Sequence, residues 1–444
     1  MKTDKYKKLL SRCPALLYAA EKAAAENNDP LAQVTAYVTA PVLFCYVRFI
    51  LDSAAEQSIH RIYFLSRDGY ILKQIADVIA ERENLPVKTS YLYVSRYSLR
   101  NALYYKCESA EDFERAGFFG HCAVQSAENT LKRAGLNESQ RLEVYKNTGF
   151  SGDEKRIMSD REYSDFCNEL KKDKALFESI KKQAEEKYRN LILYFEQSGL
   201  LDNEKKALVD SGWLGSVQRT LTELVSDKTD INNIVGFYFG LYRKKDESYR
   251  AFLFDISDAH KYVPTFCNNL FECFCSAPHG MTTGYELSGD KAVPIMAGTD
   301  PQLVKAADMQ IKTAVSFTQF VCEKHNEISK EMLRTISSRL IKQLMYKPDI
   351  QEAKILGEFP FCDDVTEIRT QPLACDCGGS IKNILFINRI LRKRKGLSIY
   401  PESGMYWLYG SIVLTDCKPA QVYRISVRLW EKLRLIKEKR KLCR

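Results

Sequence analysis

Ile62-Tyr63-Phe64-Leu65-Ser66-Arg67-Asp68-Gly69 is a four-residue apolar run that ends in a polar turn closed by glycine. Beyond it Ile71, Leu72, Ile75, Val78 and Ile79 recur at helical spacing, so the stretch predicts strand, turn and helix in succession. After Pro86 the run Tyr91-Leu92-Tyr93-Val94 predicts a second strand, ending in another polar turn, Ser95-Arg96-Tyr97-Ser98. Together these make a βαβ unit, which implies parallel pairing and a ligand crevice at the carboxyl ends of the strands.

The same signature returns at Ala207-Leu208-Val209, which ends in Asp210-Ser211-Gly212-Trp213-Leu214-Gly215-Ser216 and is followed by a helix stripe at Val217, Leu221 and Leu224. Residues 109–199 differ: they are charged, rich in Lys and Glu and helical in period, and read as an insertion. Ile234 to Leu241 and Ala251 to Phe254 add strands. The fold class expected is α/β: a mostly parallel sheet of βα units with a helical insertion and an α-helical C-terminal region. Its parts are N-terminal helices packing on the core (1–57), the α/β core (58–295), a mainly α-helical region (296–420) and a basic amphipathic tail helix (421–444).

Composition narrows the class. Of 444 residues 45% are hydrophobic and 28% charged, and 25 Tyr and 22 Phe stand against 13 Pro, which excludes a disordered chain and predicts a large core. The 14 cysteines are scattered from Cys13 to Cys443 and read as reduced thiols, because a core of this size needs no covalent staples. Cys273/Cys275 and Cys375/Cys377 lack the two-residue spacing of zinc sites. The N-terminus has no apolar signal region and reads as an amphipathic helix. Pro41 to Leu51 is interrupted by Arg48 and falls short of the roughly 20 residues a membrane span needs, so it reads as a buried helix. P-loop, Rossmann, nucleophile-elbow and zincin motifs are absent from the sequence.

The turns carry the candidate chemistry. Arg67 offers a planar fork for phosphate or carboxylate, Asp68 can take a metal, a sugar hydroxyl or a proton, and Gly69 permits close backbone approach at a helix start that favours anions. The alternative is that Asp68 only caps the helix and pairs with Arg67. In the second turn Asp210 ends a strand as Asp68 does, Gly212 and Gly215 leave backbone exposed, and Ser211 and Ser216 supply hydroxyls. Trp213 reads equally as a stacking platform for a sugar or base and as a core tryptophan. Ser95 and Arg96 would form a third wall. Asp68, Asp210 and Glu272 are the candidate catalytic groups, with Asp68 and Asp210 as candidate Mg²⁺ ligands. Glu272 lies in an apolar run and needs a partner, for which Arg67 and Arg96 are the obvious choices; a structural ion pair is the alternative. His279 beside Gly280 is either a ligand-facing acid/base group or a solvated loop histidine.

The end of the chain holds most of the excess charge. From Gln421 to Arg444 there are nine Lys/Arg against Glu431 and Glu438, a balance of +7 within a net +9. Ile425, Leu429, Trp430, Leu433 and Ile436 fall on one helical stripe, so the segment can lie on an anionic membrane surface or dock on its own protein. Nucleic acid is not expected as a partner, since the charge is confined to a tail.

FLSRDGY, YLYVSRYSL, ALVDSGWLGSVQRTL and LFECFCSAPHGMTTGYE, followed by Val293-Pro294, resemble bacterial proteins described as predicted haloacid-dehalogenase-like hydrolases of surface-polysaccharide (O-antigen and capsule) biosynthesis. The resemblance spans residues 35–300. It implies cytoplasmic work near the membrane, as a hydrolase or transferase on a sugar phosphate, a nucleotide sugar or a lipid-linked glycan, and the basic tail makes that work peripheral to the inner face of the plasma membrane. Phosphatases of that type carry an Asp-x-Asp strand end that holds Mg²⁺, and laying it on this turn puts Ser66 at the nucleophile and Asp68 at the acid. A non-catalytic ligand-binding or scaffold protein assisting membrane glycosyltransferases is therefore the alternative. A fainter likeness of ALVDSGWLGSVQ to a phosphoribosyltransferase loop lacks that loop's second acid.

Overall fold

The computed structural model describes residues 2–120, 125–324, 328–362, 370–394 and 405–442. Five strands, β1 (Arg61–Leu65), β2 (Lys88–Leu92), β3 (Lys206–Trp213), β4 (Ile234–Leu241) and β5 (Tyr249–Phe254), form one sheet in the order β2-β1-β3-β4-β5. Every neighbouring pair is parallel. The chain is thus a mixed α/β protein built on a parallel sheet, as its strand, turn and helix pattern predicts.

Successive side chains of a strand point to opposite faces. Along β1, Ile62 and Phe64 enter one hydrophobic core while Tyr63 and Leu65 enter a second, so the sheet lies between two helical layers. Burial on both faces explains why β1 and β4 read as unbroken apolar runs. The first face is covered by the helix over residues 30–56, by Gly69–Glu83, Pro301–Cys322 and Lys330–Tyr346. The second is covered by Arg96–Leu103, Ser216–Val225 and Lys174–Gln197, the last of the insertion's helices. Residues 30–56 wind as a π-helix over Thr35–Thr39, just ahead of Pro41, whose missing N–H disturbs the regular ladder. This helix is apolar and long enough to cross a membrane, yet 89% of its most apolar window is buried in protein.

The first core is one cluster that holds both Tyr6 and Leu435, so residues near the two ends of the chain share it. Lys5 Nζ lies 2.6 Å from Oε2 of the wholly buried Glu352, and the Tyr6 hydroxyl donates to Oε1 at 2.7 Å. These bonds tie the helix Asp4–Leu10 to Ile350–Gly357. A hairpin that the sequence pattern did not single out, β6 (Thr282–Ser288) with β7 (Lys291–Met296), leans over the end of β2. The Tyr285 hydroxyl fixes it by donating to the Tyr93 carbonyl at 2.6 Å.

Strand order decides where a ligand can enter. From β1 the chain goes to β2 on one side, and it later places β3 on the other, so the carboxyl ends of β1 and β3 flank the point where the topology reverses. In open α/β sheets that point is the usual ligand crevice.

Candidate functional site

Phe64 lies opposite Val209 in the β1/β3 pairing, so the turns after the two strands emerge side by side. Gly69 starts its helix hard against β1: a Cβ there would stand 2.6 Å from the Phe64 carbonyl carbon, a space only glycine leaves open. Asp68 has helical backbone angles and its carboxylate makes no cap bond. It accepts instead from the Ser211 hydroxyl, which joins the first turn to the second. Helix capping is therefore not the work of this carboxylate. The Asp210 carbonyl is held by the buried Tyr46, whose hydroxyl donates to it at 2.8 Å.

Gly212, Trp213 and Gly215 take positive φ values of 126°, 75° and 63°. For a tryptophan this costs about 1–3 kcal/mol and persists only where the surroundings over-determine it. Here the indole N–H donates to Glu272 Oε1 at 2.6 Å, and the ring packs against Phe266 and Phe271 with centroids 5.4 and 5.9 Å away. Trp213 is thus partly buried and packs on the aromatic core. Glu272, on the helix Asn268–Phe274, has Trp213 as its hydrogen-bond partner, while Arg96 and Arg67 act on it through space. Ser216 follows as the first residue of the helix Ser216–Val225, which Gly215 caps.

The three carboxylates perturb one another. Burial, then the charge of Asp68, pushes Glu272 up to about 7 against Arg96, the Trp213 N–H and Arg67. Burial and Asp68 again raise Asp210 to about 8, with Glu272 adding repulsion and the Ser211 amide and Arg96 opposing it. Asp68 itself is raised by burial against Ser211, Arg67 and Arg96. Such a group holds and releases protons near neutral pH, as acid/base chemistry requires. Arg96 is exposed and acts on all three.

His279 is not a solvated loop residue. Its ring is surrounded by Tyr70, Tyr91 and Tyr93, with centroids 5.8, 5.7 and 5.4 Å away. Nδ1 lies 2.8 Å from the Gly280 carbonyl, which only accepts, so Nδ1 carries the proton and Nε2 accepts from the Tyr91 hydroxyl at 2.8 Å. Burial lowers its pKa, and Arg67 adds to that. Ser95 caps Arg96–Leu103 in a reciprocal box with Ser98, and its hydroxyl donates to the Thr282 carbonyl at 2.6 Å. Ser66 donates to the Val94 carbonyl at 2.6 Å and accepts from the Val94 amide at 3.1 Å, closing β1 onto the chain after β2. The aromatic wall of Tyr70, Tyr91 and Tyr93 escaped sequence reasoning, although Tyr91 and Tyr93 stand at alternate positions of a predicted strand end.

Among the described residues no group of three or more His, Cys, Asp or Glu forms a ready metal cage. Mg²⁺ needs none, since it commonly takes one or two carboxylates together with waters and substrate phosphates. Asp68 and Asp210, whose mutual repulsion a divalent cation would relieve, fit that donor set. No protein-family model matches the chain, and no curated protein matches it.

Proposed function

We propose that this chain is a haloacid-dehalogenase-like protein of surface-polysaccharide assembly whose switch-point crevice binds a phosphorylated sugar or nucleotide sugar and acts on it as a transferase or hydrolase. The observation that carries the ligand reading is the meeting of three mutually perturbing carboxylates, Asp68, Asp210 and Glu272, with Arg67 and Arg96 beside the carboxyl ends of β1 and β3; the pathway rests on the sequence resemblance. Arg67 and Arg96 hold phosphate, Asp68 and Asp210 hold sugar hydroxyls or Mg²⁺, and Glu272, raised to about 7, takes a proton from an attacking hydroxyl or water. Mg²⁺ bound by Asp68 and Asp210 would neutralise phosphate charge. Ser66, at the position of the phosphatase nucleophile, has its hydroxyl engaged on both sides by Val94, so direct transfer is favoured over a phosphoenzyme.

The same Ser66 supports the second reading, a non-catalytic binding or scaffold protein beside membrane glycosyltransferases. Sugar phosphates and nucleotide sugars, offered with and without Mg²⁺ and scored for both melting temperature and turnover, separate the two. Expected are a ligand that raises the melting temperature and is turned over, and a Glu272→Gln variant that keeps the shift while losing about 100-fold or more in rate. Binding without turnover leaves the scaffold, and no shift with any ligand sinks the crevice reading.

We further propose that the protein sits on an anionic membrane. The helix Ala420–Leu442 docks on the protein through Val427 and Leu435, with Trp430 turned toward Phe386. That leaves Val422, Ile425, Leu429, Leu433 and Ile436 as a stripe 44–49% exposed. The helix Phe386–Arg394, packed against it, adds Ile387 and Leu391, exposed by 69% and 47%. Exposed Lys432 and Lys437 flank the stripe, and Lys393 and Arg394 end the second helix. Apolar ridges edged by cations match a bilayer with anionic headgroups. Ile425→Glu with Leu429→Glu is expected to cut flotation on phosphatidylglycerol vesicles at least tenfold without lowering the melting temperature; unchanged flotation would remove the membrane from the account. Deleting the whole helix is the poorer test, because Val427 and Leu435 belong to the core.

A further inference from the structure

Past the carboxylates, the same rim of the sheet carries a cluster of arginines. Arg96 and Arg100 occupy successive turns of Arg96–Leu103, and Arg219 lies in the first turn of Ser216–Val225, which packs against that helix. Arg133, 3% exposed, ends the helix Ala127–Arg133 and donates to the Gly120 carbonyl. A Cβ on Gly120 would stand 3.8 Å from Arg100 Nη1 and 3.9 Å from Arg133 Nη1, so two guanidinium groups converge on one turn. The groups that act on Arg100 most strongly are Tyr104, Arg96, Arg133 and Arg219, with no carboxylate among them. Burial and then the three arginines lower its pKa, against the pull of Tyr104. Tyr104 is 1% exposed, and its hydroxyl has no hydrogen-bond partner among the described residues.

A half-buried guanidinium such as that of Arg100, on which three other arginines and no carboxylate act most strongly, is costly unless an anion joins it. A planar guanidinium fork suits a phosphate oxygen pair, and the first turns of two helices add N–H groups and partial positive charge. Arg96 belongs to both halves of the site, since it acts on Asp68, Asp210 and Glu272 as well as on Arg100. We propose that Arg96, Arg100 and Arg219 form a diphosphate-binding arm that continues from the carboxylate crevice, so that the substrate class is a sugar joined to a diphosphate. The inference rests on the ligand reading above and narrows it. Two phosphates match the arm better than one, because three guanidinium groups on two helices need more negative charge than a single phosphate brings.

The test is calorimetric titration of the full-length protein with inorganic pyrophosphate, orthophosphate and sulfate, repeated on Arg219→Gln and Arg100→Met. Pyrophosphate is expected to bind at least tenfold more tightly than orthophosphate, and each variant to lose at least tenfold in that affinity. Arg100→Met should melt no lower than the wild type, because it removes an unanswered charge; an arginine with a purely structural role would lower the melting temperature instead. Should Arg100→Met fail to fold, the exposed Arg219 decides the matter alone. Pyrophosphate binding that is absent from the wild type, or unchanged in Arg219→Gln, overturns the arm. Failure of the crevice reading looks different: pyrophosphate still binds and still depends on the arginines, while no sugar ligand shifts the melting temperature. Flotation on phosphatidylglycerol vesicles should be unchanged in both variants, which separates this arm from the lipid-facing helices.

Discussion

Asp210→Asn is expected to melt at a higher temperature than the wild type at pH 8.5 in EDTA, and the gap is expected to shrink toward zero as the pH falls to 4. The folded protein holds the Asp210 proton up to about 8, whereas the unfolded chain releases it near the ordinary carboxylate value of 3.8. Between those values the folded state binds more protons than the unfolded state, so wild-type stability falls as pH rises through that window. A tenfold change in proton affinity between the two states is worth about 1.4 kcal/mol. Partial solvent access at this residue reduces the full effect, and a gain on the order of 2 kcal/mol at pH 8.5 is the expected scale. The asparagine keeps the shape and the backbone bonds to Tyr46 and Tyr238 while removing the charge that Asp68 and Glu272 oppose. Equal melting curves at pH 8.5 would show that the carboxylates do not crowd one another. Added Mg²⁺ should narrow the gap by stabilising the wild type alone, which a scan of melting temperature against MgCl₂ reads directly.

The parts of the site that were legible in the sequence are those where a strand ends and a polar residue follows at once. Asp68 and Asp210 could be picked out because apolar runs buried on both faces stop sharply at them. What spacing along the chain could not supply was lateral order. That β1 pairs directly with β3, across more than a hundred intervening residues, follows from packing of the insertion on one face and not from any local signal. Glu272 was visible as a charge in an apolar run; Arg96 and Arg67 act on it through space, while its hydrogen bond comes from Trp213, whose left-handed turn swings the indole N–H toward it. His279 was invisible as a caged residue, since the three tyrosines round it come from the ends of β2 and the first turn of a different helix. The tail helix has two apolar faces: Val427 and Leu435 take the protein's side, which leaves Ile425, Leu429, Leu433 and Ile436 of the stripe read from the sequence exposed.

The arginine arm shows the same limit from another direction. Arg100 stands four residues after Arg96, and Arg219 three after Ser216, so helical periodicity places each beside a turn already marked as polar. Only the packing of Arg96–Leu103 against Ser216–Val225 brings them into one cluster, and that contact is tertiary.

Gly212→Ala is expected to cost on the order of 4 kcal/mol of stability and to abolish ligand shifts, the largest loss among single substitutions at the site. Two effects combine. At φ +126° an alanine is strained by about 1–3 kcal/mol, because its Cβ meets the backbone. That Cβ would also stand 2.3 Å from the Gly240 carbonyl oxygen, its partner across β3 and β4, which must move aside. Forcing extra atoms into close-packed backbone costs roughly 1–3 kcal/mol more. Gly240 cannot yield easily, as a Cβ of its own would lie 2.6 Å from the Phe254 ring, so the clash passes into β5. The ligand site suffers twice over, since Ser211 and Trp213, which engage Asp68 and Glu272, stand on either side of the altered residue. Leu214→Ala, two residues away and 60% exposed, should change stability by no more than about 0.5 kcal/mol and is the matched control. Urea denaturation of both variants checks the contrast. An alanine at 212 that folds as stably as the control and still binds ligand would mean that the turn does not need its left-handed path.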